Sequence, residues 1–405
     1  MLGVSSCKVQ DRTPDMVKKD FDFAGKQLAY AQSEIASAVA HEPEASKVMR
    51  EKNNWEPLVS PRTIEKDGSL QMVPSKDWTS GFFPGELWYM YEYTKDAKWE
   101  QLARQFTAPV EREKLNGKTH DMGFKVYCSF GNGYRLTKDE KYRDILLQSA
   151  YTLATRYKPK AGIIRSWDHS SYRWKCPVII DNMMNLELLF WAFAESQDSL
   201  FYHIAVTHAE TTMKNHFRPD YSSYHVIDYD TITGDVLKKN THQGYAHESA
   251  WARGQAWGLY GYTLCYRETK KPEFLEQAKH IAGFIFTHPN LPSDLIPYWD
   301  YNAPGIPNEP RDVSAATVTA SALLELSMYD MENAAKYKDW ANTILKNLSD
   351  NYLAKQGSDR GFLLLHSTGT KPTNTEVDVP LAYADYYFLE ALLRKQKLEK
   401  TGKVF

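Results

Sequence analysis

Apolar residues recur at intervals of three and four along most of the chain, as in Leu102, Phe106, Val110 and again in Leu146, Ala150, Leu153. That spacing marks one face of a helix. It predicts helices over 15–38, 80–94, 98–115, 123–136, 139–157, 180–196, 199–216, 249–268, 272–288, 311–330, 333–353 and 378–395. No comparable stretch alternates apolar and polar residues in the manner of a sheet. The turns share a plan: Thr94-Lys-Asp-Ala-Lys-Trp99, Thr137-Lys-Asp-Glu-Lys-Tyr142, Ser196-Gln-Asp-Ser-Leu-Phe201 and Thr269-Lys-Lys-Pro-Glu-Phe274 each run from a hydroxyl residue to an aromatic that opens the next helix. A second echo matches Trp78, Gly81, Gly85 to Trp251, Gly254, Gly258. Repeated helical hairpins bury their faces on one another. Twelve helices pair into six hairpins, which predicts an all-α, single-domain (α/α)6 toroid over 14–397, with tails at 1–13 and 398–405. The alternative, an open solenoid, calls for a regular period and short loops. Here 39–79, 158–179, 217–248 and 289–310 are long and uneven, and they carry Trp55, Trp78, Trp167, Trp174, His225, Gln243 and Trp299. Long loops on a rigid scaffold usually carry function; sharing one rim, these would build a cleft over the inner helices.

Composition narrows this picture. The 405 residues include 26 Tyr, 17 Phe and 11 Trp, too aromatic for a disordered chain. Such rings either fill a large helical core or stack on sugar faces. The net charge of −2 leaves no global basic field for nucleic acid. With a mean hydropathy of −0.55 and only short apolar runs, no segment reads as membrane-spanning. Cys7, Cys128, Cys176 and Cys265 show neither CxxC spacing nor a metal pattern. Cys128 and Cys265 read as small core residues. Cys7 follows Met-Leu-Gly-Val-Ser-Ser, which resembles the end of a bacterial lipoprotein signal and makes it a candidate lipid anchor.

Two carboxylates are candidates for chemistry. Asp121, in Thr119-His-Asp-Met-Gly-Phe124, and Asp181, in Val178-Ile-Ile-Asp-Asn-Met-Met-Asn185, both open predicted helices. An Asp in that position ordinarily caps the helix. Asp181, however, is flanked by Ile179, Ile180, Met183 and Met184, so desolvation should raise its pKa and keep it a neutral acid. Two carboxylates at one cleft mouth are the usual equipment for glycoside chemistry. In the polar stretch 240–257, Arg253 and Trp257 are four apart and share a helix face, where they could hold a carboxylate and stack on a sugar. Alternatively the Arg belongs to a structural ion-pair network. His225 is either a sugar hydrogen-bonder or a locally satisfied loop histidine. There is no phosphate loop, GxGxxG before a helix, GxSxG or HExxH.

At these residues the sequence resembles the unsaturated glucuronyl hydrolases of glycoside hydrolase family 88. The shared pattern is Asp77-Trp78-Thr79-x-Gly81-Phe82, His120-Asp121-x-Gly123-Phe124, Gly162-Ile163-Ile164-x-x-Trp167, Ile179-Ile180-Asp181, Ser222-Ser-Tyr-His225, Thr241-His-Gln-Gly244, Arg253-Gly-Gln-Ala-Trp257 and Asp385-Tyr-Tyr-x-Leu-Glu-Ala-Leu-Leu-Arg394. The resemblance implies an (α/α)6 barrel with no metal and no organic cofactor, and removal of the 4,5-unsaturated uronic acid that lyases leave at a non-reducing end. It implies Asp181 as general acid and base and Asp121 as the second essential carboxylate. Trp78, His120, His225, Gln243, Arg253 and Trp257 would bind the unsaturated uronate, and Trp167 would stack on the next sugar.

Two relatives in kind compete with that reading. Unsaturated rhamnogalacturonyl hydrolases usually read Arg-Gly-Asn where this chain has Arg253-Gly-Gln255. A non-catalytic sugar-binding surface lipoprotein would account for the aromatics and Cys7 but not for the Asp181 motif. An ordinary inverting glycosidase on the same toroid is a third expectation to test. The expected partners are unsaturated glycosaminoglycan disaccharides and oligosaccharides, with Lys371 in the 365–371 stretch placed to meet a sulfate on the second sugar. The expected location is the periplasm, with the cytoplasm as the alternative.

Overall fold

The computed structural model describes residues 15–42, 47–48, 52 and 57–405. Cys7, Trp55 and the tail 1–13 lie outside the described residues. Twelve α-helices are described: α1 Met16–Ala40, α2 Phe82–Thr94, α3 Ala97–Thr107, α4 Asn132–Thr137, α5 Glu140–Ala154, α6 Asn182–Ser196, α7 Ser199–His216, α8 Ala252–Thr269, α9 Pro272–Thr287, α10 Val313–Leu326, α11 Ala334–Asn351 and α12 Ala382–Thr401. A π-helix, Gly123–Gly131, runs straight into α4.

Burial sorts these helices into two kinds. Every residue of α10 is buried, and so is almost all of α8, whereas α3 buries only Trp99, Ala103 and Thr107. A helix buried all round must lie inside the body, and a one-faced helix must cover it. The inner helices pack on one another in order: α2 on the π-helix, the π-helix on α6, then α8, α10 and α12, and α12 returns to α2. The covering helices α3, α5, α7, α9 and α11 alternate with them in the chain.

The shared turn plan has a physical basis. The hydroxyls of Thr94, Thr137, Ser196 and Thr269 donate back to the carbonyls of Met90, Gly133, Ala192 and Cys265. The next residue, Lys95, Lys138, Gln197 or Lys270, turns left-handed at φ 58, 56, 59 and 58. Asp96, Asp139 and Asp198 then cap the following helix by accepting from Lys98, Lys141 and Leu200 N–H. Each such cap contributes about 1 kcal/mol.

The structure corrects the sequence reading in three places. The stretch predicted as a helix over 98–115 tightens into a 3₁₀ helix at Ala108–Leu115, where Pro109 removes a donor. The last helix starts at Ala382 and not at 378, and it runs to Thr401, past the tail boundary at 397; Val404 beyond it is buried. The long loops are also partly strand. β1 Leu58–Ile64 pairs with β2 Leu70–Pro74, β3 Tyr157–Lys158 with β4 Ile163–Ile164, and β8 Ser367–Thr370 with β9 Thr375–Val379, all antiparallel. β5 Pro177–Ile179, β6 Val226–Tyr229 and β7 Val236–Asn240 form a three-stranded antiparallel sheet with β6 central. These ribbons are too short to show a clear period of two.

Two glycines of the echoed motif mark close approaches. A Cβ on Gly81 would lie 2.2 Å from the Lys125 carbonyl of the π-helix, and one on Gly254 would lie 2.9 Å from the Trp251 ring. Both let an inner helix begin tight against its neighbours.

Candidate active site

The small sheet aligns the site. Ile179 of β5 pairs with Val226 of β6, and Ile180 N–H continues the ladder to the His225 carbonyl at 3.1 Å. Val226 also pairs with Asn240 at the end of β7. Asp181, His225 and the 241–244 loop therefore emerge side by side from one end of the sheet.

Asp181 stands at the N-terminus of α6 but makes no side-chain capping bond. It is 8% exposed, and its Oδ2 has no hydrogen-bond partner. Burial pushes its carboxyl up to about 7; the Arg253 guanidinium opposes that rise, while the Asp121 charge adds to it. The Trp257 indole N–H approaches the carboxyl and also opposes the rise, but stays outside hydrogen-bond geometry.

His225 faces this carboxyl, with Nε2 3.6 Å from Oδ2. Its Nδ1 accepts the backbone N–H groups of His242 at 3.1 Å and Gln243 at 3.0 Å. Those bonds leave Nε2 as the protonated nitrogen. Burial first, then the charges of His242 and Arg253, hold its pKa well below the usual histidine value. The imidazole is thus a neutral donor aimed at Asp181.

Asp121 sits just before the π-helix. It too is no cap: its Oδ2 accepts the Thr119 hydroxyl at 2.5 Å, and its Oδ1 lies 3.2 Å from His120 Nε2. His120 is 2% exposed, and burial lowers its pKa, so it supports Asp121 from inside as a neutral ring. His120 N–H also binds the Ser166 carbonyl at 3.1 Å, and Ser166 Oγ accepts Ile179 N–H at 3.0 Å. Ser166 therefore ties the Asp121 turn to the strand that leads to Asp181.

The aromatic residues divide differently from expectation. Trp78 is half-buried in a cluster with Phe82, Phe124 and Tyr383. Trp167 is half-buried beside Trp174, His169 and His242, which make an aromatic wall. Trp257 is fully buried, with Phe124 and Tyr387 against its ring. It cannot stack on a sugar as the structure stands; it forms the floor beneath Asp181. Arg253 lies over Trp251, at 4.6 Å, instead of beside Trp257. Its Nη1 donates to Asp312 at 2.6 Å and to the Thr368 carbonyl at 2.7 Å, and its Nη2 to the Gly369 carbonyl at 2.7 Å. The ion-pair alternative describes these contacts. Gln243 reaches the same ribbon, donating to the Gly369 carbonyl at 3.2 Å. Lys371 stands in the turn between β8 and β9, with no ion-pair partner among the described residues.

Several residues were missed. Asp312 clamps Arg253 across 59 positions of sequence. Gln255 holds the loop of His225, accepting Ser223 N–H at 3.0 Å and donating to Ser223 Oγ at 2.9 Å. Arg62 forks onto Asp77, beside Trp78, and onto Glu376 of β9. Their partners are distant in sequence, so spacing gave no signal. No group of three or more His, Cys, Asp or Glu that could hold a metal occurs among the described residues.

A buried neutral carboxyl near a second carboxylate suits acid–base chemistry on a sugar, and fold and site together define a glycoside hydrolase. Comparison with known proteins narrows that class. The family model of Glycosyl Hydrolase Family 88 matches residues 41–302. An unsaturated glucuronyl hydrolase of Formosa agariphila is 49% identical over 94% of this chain and 92% of its own length. An unsaturated chondroitin disaccharide hydrolase of Streptococcus agalactiae is 33% identical over 81% of this chain and 83% of its own. The crystal structure of an unsaturated glucuronyl hydrolase specific for heparin superposes with a TM-score of 0.87 at 48% identity, covering 95% of this chain and 98% of that one. The chain belongs to glycosyl hydrolase family 88.

Proposed function

We infer that this enzyme removes the 4,5-unsaturated uronic acid from the non-reducing end of glycosaminoglycan oligosaccharides, working at the mouth of a closed (α/α)6 toroid. The observation that carries the chemistry is Asp181: buried, uncapped, unpartnered at Oδ2 and raised to about 7. A donor to carbon must hold its proton beforehand and release it in the reaction. Asp181 gives that proton to C4 of the vinyl ether, and positive charge develops on C5 and the ring oxygen. Water adds at C5 and returns a proton to the Asp181 carboxylate. The hemiketal then opens by breaking the bond between C5 and the ring oxygen, and the hemiacetal left at C1 releases the neighbouring sugar. Asp121 helps keep Asp181 protonated at the start, and the His225 Nε2–H steadies the carboxylate that forms. The cyclic packing of the inner helices supports the toroid.

The test is loss of the ultraviolet absorbance of the unsaturated uronate. Heparin-, chondroitin- and hyaluronan-derived disaccharides are compared, with the heparin type expected fastest because the 48% identical structure is named as specific for heparin. Lys371→Ala should slow sulfated substrates more than unsulfated ones. Absence of bleaching on all three, with hydrolysis of a saturated glycoside, would overturn the reading in favour of an ordinary glycosidase.

We also propose a periplasmic enzyme anchored by lipid at Cys7, a reading supported by the small residues preceding that Cys. Release of Cys7→Ser from the membrane fraction is expected; equal fractionation of both forms would count against it.

A further inference from the structure

A cavity of about 410 Å³ lies on the far side of the Trp257 floor from Asp181, running between the inner helices from Phe124, Met184 and Tyr387, the first and last of which pack on Trp257, to Glu268, Lys397 and Phe405. We propose that it binds a neutral monosaccharide-sized polyol. Its volume falls in the range of small-molecule sites, roughly 300–1,000 Å³. Its walls carry as many cations as anions: Arg135, Arg267, Arg394 and Lys397 against Glu92, Glu187, Glu268 and Glu390. These charges pair across the cavity. Glu92 meets Lys397 at 2.7 Å and also pairs with Arg135, and Arg267 meets Glu187 at 2.5 Å and Glu268 at 2.7 Å. The surrounding helix C-termini add partial negative charge. A site so balanced gives no purchase to a uronate or a sulfate.

Ring-and-hydroxyl chemistry fits it instead. Tyr89 and Tyr260 donate to Glu390 at 3.1 and 3.0 Å, so these two hydroxyls are already committed. Tyr387 is different. It is 3% exposed, lines the cavity, and its hydroxyl has no hydrogen-bond partner among the described residues. That hydroxyl is open to the cavity, where a ligand hydroxyl can complete its bonding. Alternating carboxylates and guanidinium groups beside tyrosine faces offer donors and acceptors for a ring of hydroxyls. At the mouth, Phe405 lies over Arg267 and Arg394, at 4.6 and 5.2 Å, while Val404 is buried beneath.

The experiment is ligand-observed NMR and calorimetry on the full chain with glucose, galactose and N-acetylgalactosamine, and with glucuronate as the anionic control. At least one neutral sugar should bind saturably. Tyr387→Phe and Glu187→Gln should each weaken it at least tenfold. Binding should persist in Asp181→Asn saturated with unsaturated disaccharide, which separates this site from the catalytic mouth. The proposal fails if no neutral sugar binds, if glucuronate binds equally well, if saturating the mouth abolishes binding, or if both variants bind like the parent. Binding is read directly, so the outcome does not depend on the hydrolase activity.

Discussion

At the scale of single residues, the protonation state of Asp181 governs the chemistry. With its carboxyl raised to about 7, kcat/KM should be level in mild acid and fall about tenfold per pH step above that value. Trp257→Phe removes an N–H that favours the ionised carboxylate, so the falling limb should move to higher pH; an unchanged profile would refute that role. Asp181→Asn should lose on the order of 10³-fold or more in kcat while still binding substrate. The same group costs stability. Its folded-state value is raised, so the folded chain keeps a proton that the unfolded chain sheds above about 4. The resulting penalty is absent in acid, grows as pH rises towards 7, and then stays constant. Asp181→Asn should therefore melt higher than the parent at pH 8, by on the order of 2–4 kcal/mol in stability, and level with it at pH 4. Equal melting shifts at both values would contradict the assignment.

At the scale of elements, the site is held by short ribbons between helices. Arg62 of β1 is the clearest case: it forks onto Asp77 at 3.1 and 2.9 Å and onto Glu376 at 2.5 and 2.9 Å. One side chain thereby fixes the Trp78 turn and the β8–β9 ribbon that carries Lys371. Lysine cannot make both forks. Arg62→Lys should raise KM about tenfold and change kcat less, because it loosens the walls and leaves Asp181 in place; a kcat loss at constant KM would argue against this. Such ribbons also mark the limit of what the sequence discloses. The helices were legible because a long period of three and four survives in α7 and α9, and the turns between helices repeat a hydroxyl, joined in three of the four by an Asp cap, whose bonds are local. Asp181 and Asp121 were legible by their apolar or motif setting. The commitment of Arg253 to Asp312 and the burial of Trp257 were not, since both depend on partners brought together only by ring packing.

At the scale of the whole molecule, one pairing stands where the ring of inner helices closes. Glu86 of α2 and Asp385 of α12 are both buried. Asp385 accepts the Leu363 and Leu364 N–H groups at 2.7 and 2.9 Å, whereas Glu86 Oε1 has no partner. Burial raises Asp385 to about 8 and Glu86 well above the usual carboxylate range, with the Asp385 charge adding to the latter. By the same sign argument, stability should decline as pH rises from about 4 towards 8. Glu86→Gln should raise the melting temperature at pH 8 more than at pH 5. A variant less stable at pH 8 would show that the carboxyl is needed in its ionised form.

Trp78, Asp121, Asp181, Arg253, Asp312 and Tyr383 all lie at or just before the N-terminal ends of the six inner helical segments. The helix dipoles therefore point the same way along the ring. Their N-terminal ends gather a local positive field at the catalytic mouth, which the oppositely directed covering helices offset over the molecule as a whole. An anionic fragment would feel that field on entering the mouth and not from a distance, and added salt would weaken it.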